Sequence, residues 1–162
     1  MDLSTILFIA IVVFVVAAFI LLRIFKKATM EELRLHYGEK MLLDDDNCTL
    51  EVQSGSGIEE LPDVFIRVTN KRIIISQRGR GRSGSHILRY VIRYEDTPSL
   101  KGPHSGTAKK QYVVCRTEPH KISISESGAF RIEPLPGQGP EVPALLQVKT
   151  DNIDNYRDVF RL

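Results

Sequence analysis

Residues 64–77 read VFIRVTNKRIIISQ, and this stretch decides the fold that the sequence predicts. Two runs rich in β-branched residues flank Asn70 and Lys71, and such runs favour strands. Asparagine tolerates the left-handed backbone conformation that a tight hairpin turn requires. The stretch therefore predicts a β-hairpin with strands over 64–69 and 72–77.

The chain beyond Gly38 repeats this pattern of short strand-like runs, separated by glycine, proline and serine clusters. Such punctuation is typical of antiparallel sheets. The last residues, TDNIDNYRDVFRL (150–162), change to a helical period with one apolar stripe. We expect this helix to cover the open end or face of a curved sheet. The stripe consists of Ile153, Tyr156, Val159 and Phe160, and the further predicted strands are 40–43, 49–53, 87–94, 111–116, 121–125, 129–133 and 144–149.

Two short motifs in this region resemble those of bacterial PH-like and GRAM-like domains. The letters VTNKR (68–72) are similar to the T-N-x-R phrase of their second hairpin, and GEK (38–40) is similar to their G-E opening. The resemblance covers roughly residues 38–162 and is sharpest over 64–76. It implies an all-β fold, a PH-like antiparallel β-barrel closed by a C-terminal α-helix. The motif is structural, so the resemblance implies no particular ligand.

Residues 3–22 read LSTILFIAIVVFVVAAFILL, twenty positions without a charged side chain. At about 1.5 Å per residue, a helix of this length spans the roughly 30 Å hydrocarbon core of a bilayer. The chain starts MD, without the basic residues that open a cleaved signal peptide. Arg23, Lys26 and Lys27 follow the run as membrane-flank anchors and place the C-terminal side in the cytoplasm. The sequence thus predicts a single-pass protein of the inner (cytoplasmic) membrane, with its N-terminus outside.

These patterns predict three segments. Residues 1–27 form a transmembrane anchor with its basic flank. Residues 28–38 form a short juxtamembrane helix, for which Thr29 and Glu32 supply a capping box. Residues 39–162 form the cytoplasmic PH-like β domain.

Charge is strongly segregated along the chain. Residues 31–63 carry ten acids and two bases, whereas residues 64–131 carry fourteen bases and four acids, which gives net charges of −8 and +10. The basic half contains the loop QRGRGRSGSH (77–86), followed by a strand in which two arginines share one face by the period of two. The predicted contact residues for a partner or an anionic lipid are Arg78, Arg80, Arg82, Arg89 and Arg93.

Several explanations of the arginine loop compete. The letters GRGRSG (79–84) fit G-x-G-x-x-G, but the strand-like run that follows excludes a dinucleotide fingerprint, which must open a helix. Arginine-glycine tracts that bind RNA are longer and interleaved with aromatics, so nucleic acid is not predicted. A solvated face, contact with anionic lipid head groups and bidentate pairing with an acidic protein surface remain. Among the functional explanations, the protein partner is favoured.

No motif indicates catalysis, a cofactor or a metal site. The histidines lack ligand spacing, and the acidic triplet 44–46 lacks the later glutamate of a calcium loop, so we expect it to form a solvated turn. Cys48 and Cys115 have no C-x-x-C spacing and are expected to be free in a reducing compartment. The sequence predicts a non-enzyme, an accessory or scaffold subunit of a larger membrane complex that docks on partner subunits. The alternative is a membrane-tethered module that binds anionic lipid head groups through its basic loop.

Overall fold

The computed structural model describes residues 2, 11–18, 34–79, 86–94 and 112–162. The chain divides into two compact units, residues 1–36 and residues 37–162, and each is considered by itself. Of the predicted helix over 28–38, residues 28–33 lie outside the described residues. Residues 34–38 form a bend and a turn, in which Gly38 adopts a positive φ of 72°.

The N-terminal unit corrects the membrane prediction. Residues 11–18 are helical. Within the described ranges, no helix combines the length and apolar character that a membrane crossing needs. We therefore correct the prediction of a transmembrane helix over 3–22 and, with it, the single-pass membrane localisation. The flank residues Arg23, Lys26 and Lys27 lie outside the described residues.

The second unit is built on one sheet of eight described strands. They are β1 (Met41–Ser54), β2 (Gly57–Thr69), β3 (Arg72–Arg78), β4 (His86–Tyr94), β5 (Val113–Thr117), β6 (Ile122–Ile124), β7 (Phe130–Ile132) and β8 (Leu145–Lys149). Their order in the sheet is β5-β4-β3-β2-β1-β8-β7-β6. The β4–β5 pair is parallel, and the other described pairs are antiparallel. A 3-10 turn (Pro119–Lys121) precedes β6, and the C-terminal helix spans Ile153–Phe160.

This sheet is not closed by any described strand pair, which corrects the predicted closed barrel. Its two ends are β5 and β6. Along β5, the side chain of Gln138 takes the place of a neighbouring strand: its Oε1 accepts from the Arg116 N–H at 2.7 Å, and its Nε2 donates to the Arg116 carbonyl at 2.9 Å. The Leu135 N–H donates to the same carbonyl at 2.8 Å. Because a loop satisfies this backbone, β6 does not pair with β5.

The predicted hairpin is confirmed. β2 and β3 pair in antiparallel register from Val64↔Gln77 to Val68↔Ile73, and the turn falls at Asn70 and Lys71. β1 is longer than predicted, since one strand (Met41–Ser54) joins most of the predicted strand 40–43 to the predicted strand 49–53 and includes the acidic triplet 44–46. Register shifts in this part of β1 accommodate the extra residues as bulges.

The main hydrophobic cluster lies on the face of the sheet that packs against the C-terminal helix. Ile74, Leu88 and Val91 are also buried, on the opposite face of β3 and β4. Tyr156 is fully buried, and its ring lies 4.5 Å from that of Phe130; the Phe160 ring lies 5.1 Å from Phe130. Ile153 and Val159 are partly buried against the same core. The apolar stripe predicted for this helix therefore packs on the core, as its spacing indicated.

Candidate functional site: the arginine side of the sheet

Glu39 and Arg72 form a fully buried ion pair. Arg72 donates from Nε to Glu39 Oε1 at 2.9 Å and from Nη2 to Oε2 at 3.1 Å, and both side chains are 0% exposed. The Thr69 hydroxyl donates to Glu39 Oε1 at 2.7 Å and accepts from the Arg72 N–H at 3.0 Å. Next to them, the Lys40 N–H donates to Asn70 Oδ1 at 2.8 Å. The GEK and VTNKR motifs thus bind each other, which gives both a structural role.

Arg72 is also the first of three arginines that lie side by side across the sheet. Arg72 of β3 is in register with Arg93 of β4, and Arg93 is in register with Arg116 of β5. The residues next to them, Ile73 and Cys115, belong to the core, so the arginines face the opposite side. Neighbouring strands lie about 4.8 Å apart. We call these three residues the arginine row.

The arginine row carries more positive charge than its carboxylate neutralises. Glu39 bonds to Arg72 and compensates one charge. Arg93 is half-buried, and its Nε is buried with no hydrogen-bond partner among the described residues. The Arg116 side chain is exposed, and no described carboxylate forms an ion pair with it. Arg93 and Arg116, on neighbouring strands, therefore have no counter-charge among the described residues, and like charges opposite each other destabilise a sheet.

Arg89 does not belong to this row. The register of β3 and β4 shifts between Ile75 and Ser76, which makes Arg89 the extra residue of a β-bulge. Its Nε and Nη2 donate to Gln77 Oε1 at 3.1 and 2.7 Å, on the side of the sheet opposite to Arg93. The expectation that Arg89 and Arg93 share one face is therefore wrong, because the bulge breaks the alternation of the strand.

Arg78 and Arg89 line a separate cleft of about 510 Å³. Glu60 and Asp63 lie among its lining residues, so positive and negative charges are balanced there. Gln77 Nε2 donates to the Pro62 carbonyl at 3.1 Å and joins the two sides. This balance gives the cleft no preference for an anion. The predicted contact residues Arg80 and Arg82 lie outside the described residues.

The acidic half of the chain is engaged within the fold. Arg67 donates to the two carboxylate oxygens of Asp44 at 2.8 and 2.9 Å. Lys149 forms ion pairs with Glu51 and Glu60. Where described, no group of three His, Cys, Asp or Glu side chains is placed to hold a metal ion.

Asp45 forms a buried polar cluster that the sequence did not predict. The acidic triplet 44–46 lies within strand β1, so the expectation of a solvated turn there is wrong. The side chain accepts from the Thr150 hydroxyl at 2.6 Å, from Asn152 Nδ2 at 2.7 Å and from the Tyr156 hydroxyl at 3.0 Å. Burial raises the pKa of Asp45, but these hydrogen bonds together outweigh burial and hold the pKa below its usual range. The cluster ties β1 to the start of the C-terminal helix.

Cys48 and Cys115 are free and buried, and we expect neither to react with a thiol reagent in the folded protein. Burial is the main cause that raises the pKa of each thiol to about 12, and the thiolate is the reactive form. Mass spectrometry after maleimide treatment checks this. Two adducts are expected in guanidinium chloride and none in native buffer, whereas a native adduct would show that a thiol is accessible.

Comparisons of the chain with protein-family models, with curated proteins and with solved structures find no match. The resemblance to PH-like domains therefore stays a prediction, and the site is interpreted from its geometry. Arg93 was among the predicted contact residues, whereas Arg72 and Arg116 were not. Arg72 and Arg116 come beside Arg93 through the register of the strands, and the local sequence does not predict that register.

Proposed function

We propose that residues 37–162 form a non-catalytic docking domain that binds an acidic surface of a partner protein. The observation that supports this proposal is the arginine row, in which Arg93 and Arg116 lack a carboxylate partner among the described residues. Two carboxylates of the acidic strand β1 are engaged elsewhere, Asp44 with Arg67 and Glu51 with Lys149, and Glu118, two residues beyond Arg116, pairs with His120. Of the row, Arg116 is exposed and Arg93 is partly buried, so the positive charge available to a partner lies at the β4–β5 edge of the sheet.

The position of these arginines suits recognition of carboxylates. A guanidinium group presents a planar fork that pairs bidentately with a carboxylate. Arg93 and Arg116 stand on strands whose backbone is paired, and the Arg116 backbone is also bonded to Gln138. Side chains on rigid strands lose less freedom on binding than side chains on loops. The row is thus a pre-organised surface for an acidic partner.

The buried reactive groups have structural roles, which favours a docking protein over an enzyme. The carboxylates of Glu39 and Asp45 are fully engaged with neighbouring side chains. The thiols of Cys48 and Cys115 are buried with a raised pKa. In this proposal, the protein acts as an accessory subunit of a larger protein assembly.

Charge reversal tests the proposal. The tagged full chain is isolated from its own cells, and the mass and stoichiometry of the native assembly are measured for wild type, Arg116→Glu and Arg157→Glu. Arg157 is the matched control, because it is exposed on the C-terminal helix and paired with Asp154. We expect a partner at fixed stoichiometry with wild type and control. Arg116→Glu should lower partner occupancy roughly tenfold or more, since it replaces an attraction to carboxylates by a repulsion.

Two results would contradict the docking proposal. In the first, the wild-type chain is recovered alone at physiological salt. In the second, Arg116→Glu retains its partner as well as Arg157→Glu does. Salt provides an independent check, because an exposed charge-dependent interface weakens as ionic strength rises.

A further inference from the structure

We propose that Arg93 and Arg116 bind a phosphate monoester group that the partner protein carries on a phosphorylated side chain. This inference rests on the docking function proposed above and names the group that the arginine row recognises. Two features of the row support it: Arg93 and Arg116 are in register on neighbouring strands, and neither has a carboxylate partner among the described residues.

The strand register places both arginines on one face of the sheet, where one ligand can contact both side chains. Arg93 and Arg116 are in register on parallel neighbouring strands, about 4.8 Å apart, and both face away from the core. A phosphate monoester has three acceptor oxygens. Each guanidinium can donate to two of these oxygens, and such bidentate pairs are the strongest hydrogen bonds that arginine forms.

The charge selects phosphate over carboxylate. Glu39 compensates Arg72, which leaves the two charges of Arg93 and Arg116. A phosphate monoester carries about −1.5 to −2 at pH 7. It therefore neutralises both guanidinium groups, whereas the single charge of a glutamate or aspartate neutralises only one.

Arg93 has one donor that no described residue satisfies, its buried Nε. Buried donors in folded proteins nearly always have a hydrogen-bond partner, and Arg93 Nε has none among the described residues. Like charges directly opposite each other on a sheet are also unfavourable. An anion bound between Arg93 and Arg116 removes the repulsion between the two charges, whereas the buried Nε has no surface for a ligand to contact.

Arg131 provides an internal comparison. Its Nε is likewise buried without a hydrogen-bond partner among the described residues. Its cross-strand neighbours, however, are Ser123 and Gln147 instead of arginines, and the Glu133 carboxylate lies 3.9 Å away. Arg131 thus shares the burial of Arg93 but lacks a second guanidinium and faces a negative charge. It is a matched control that should not bind phosphate.

Calorimetric titration of the full chain tests the inference with three probes: inorganic phosphate, a phosphoserine peptide and the same peptide with glutamate in place of phosphoserine. We expect the phosphoserine peptide to bind at least about tenfold more tightly than the glutamate peptide. Arg116→Gln should weaken phosphate binding about tenfold or more, the effect of losing a hydrogen bond between charged groups. Arg131→Gln should leave it unchanged. Because Arg116 is exposed, its replacement leaves the core intact.

A thermal-shift measurement provides a second readout. A ligand that binds only the folded state raises the melting temperature, and the shift grows with the ratio of ligand concentration to Kd. Phosphate should raise the melting temperature of wild type and of Arg131→Gln, but not that of Arg116→Gln. Equal losses in both variants would mean a diffuse charge effect and would overturn the assigned site.

Other outcomes would also overturn the inference. Equal affinity for the glutamate and phosphoserine peptides would make the row a carboxylate site. Binding to vesicles of phosphatidylcholine and phosphatidylserine, without binding to the phosphoserine peptide, would exclude a protein as the source of the phosphate. Phosphatase treatment of the captured assembly distinguishes a failure of the phosphate site from a failure of the docking function. Release of the partner is expected; a partner that stays bound, yet depends on Arg116, leaves the docking function intact and overturns the phosphate site.

Discussion

Replacing Glu39 by alanine is expected to lower the free energy of unfolding by about 3–5 kcal/mol, the usual result when one member of a buried ion pair is removed. Arg72 is fully buried and would lose the two hydrogen bonds and the negative charge that Glu39 supplies. Thr69 would lose an acceptor at the same time. Chemical denaturation of Glu39→Ala and wild type, monitored by circular dichroism, measures the difference.

Three further variants distinguish the effect of the buried charge on stability from the effect of losing the hydrogen bonds. Glu39→Gln keeps the volume and one acceptor oxygen, so we expect it to lose less stability than Glu39→Ala. The double variant Glu39→Met/Arg72→Met removes the buried charge together with its partner and should also be more stable than Glu39→Ala. Asp154→Ala breaks an exposed pair, which water screens, and should have little effect. A Glu39→Ala protein as stable as Asp154→Ala would refute the structural role of the pair.

Local patterns predicted the parts of the fold that depend on neighbouring residues. The hairpin over 64–77 follows from two β-branched runs around a turn residue, and the C-terminal helix follows from its apolar stripe. The open sheet did not follow, because it depends on Gln138 occupying the edge of β5, 22 residues from Arg116. A side chain that replaces a strand leaves no periodic signal in the sequence.

The candidate site was predicted only in part, for a similar reason. The segregation of charge along the sequence predicted that the contact residues lie in the basic half, residues 64–131. The arginine row, however, arises from the parallel register of β4 and β5, which brings Arg93 beside Arg116. The bulge at Arg89 then turns a predicted member to the other face. Pairing across strands, rather than spacing along one strand, decides which arginines act together.

Asp45→Asn is expected to destabilise the domain by about 3 kcal/mol, since the buried carboxylate accepts hydrogen bonds from three side chains and each bond to a charged group contributes about 1.5–3 kcal/mol. An amide has one acceptor oxygen, and its NH₂ group would face the NH₂ group of Asn152. Thr150 and Tyr156 would compete for the remaining oxygen. Asp46→Asn is the matched control, because Asp46 is the exposed neighbour of Asp45 in β1.

The stability contributed by Asp45 should also depend on pH. Although burial raises its pKa, the hydrogen bonds hold the folded-state pKa below the unfolded value of about 3.9. The unfolded state therefore binds the proton more readily, so the contribution is fully present above about pH 4 and is lost as the pH falls through the folded-state pKa. Urea denaturation at a series of pH values from 7 to 2 should show the gap between wild type and Asp45→Asn narrowing below about pH 4. Asp46→Asn should not reproduce this narrowing. A gap that stays constant down to pH 2 would mean that the hydrogen bonds of Asp45 do not favour its ionised form.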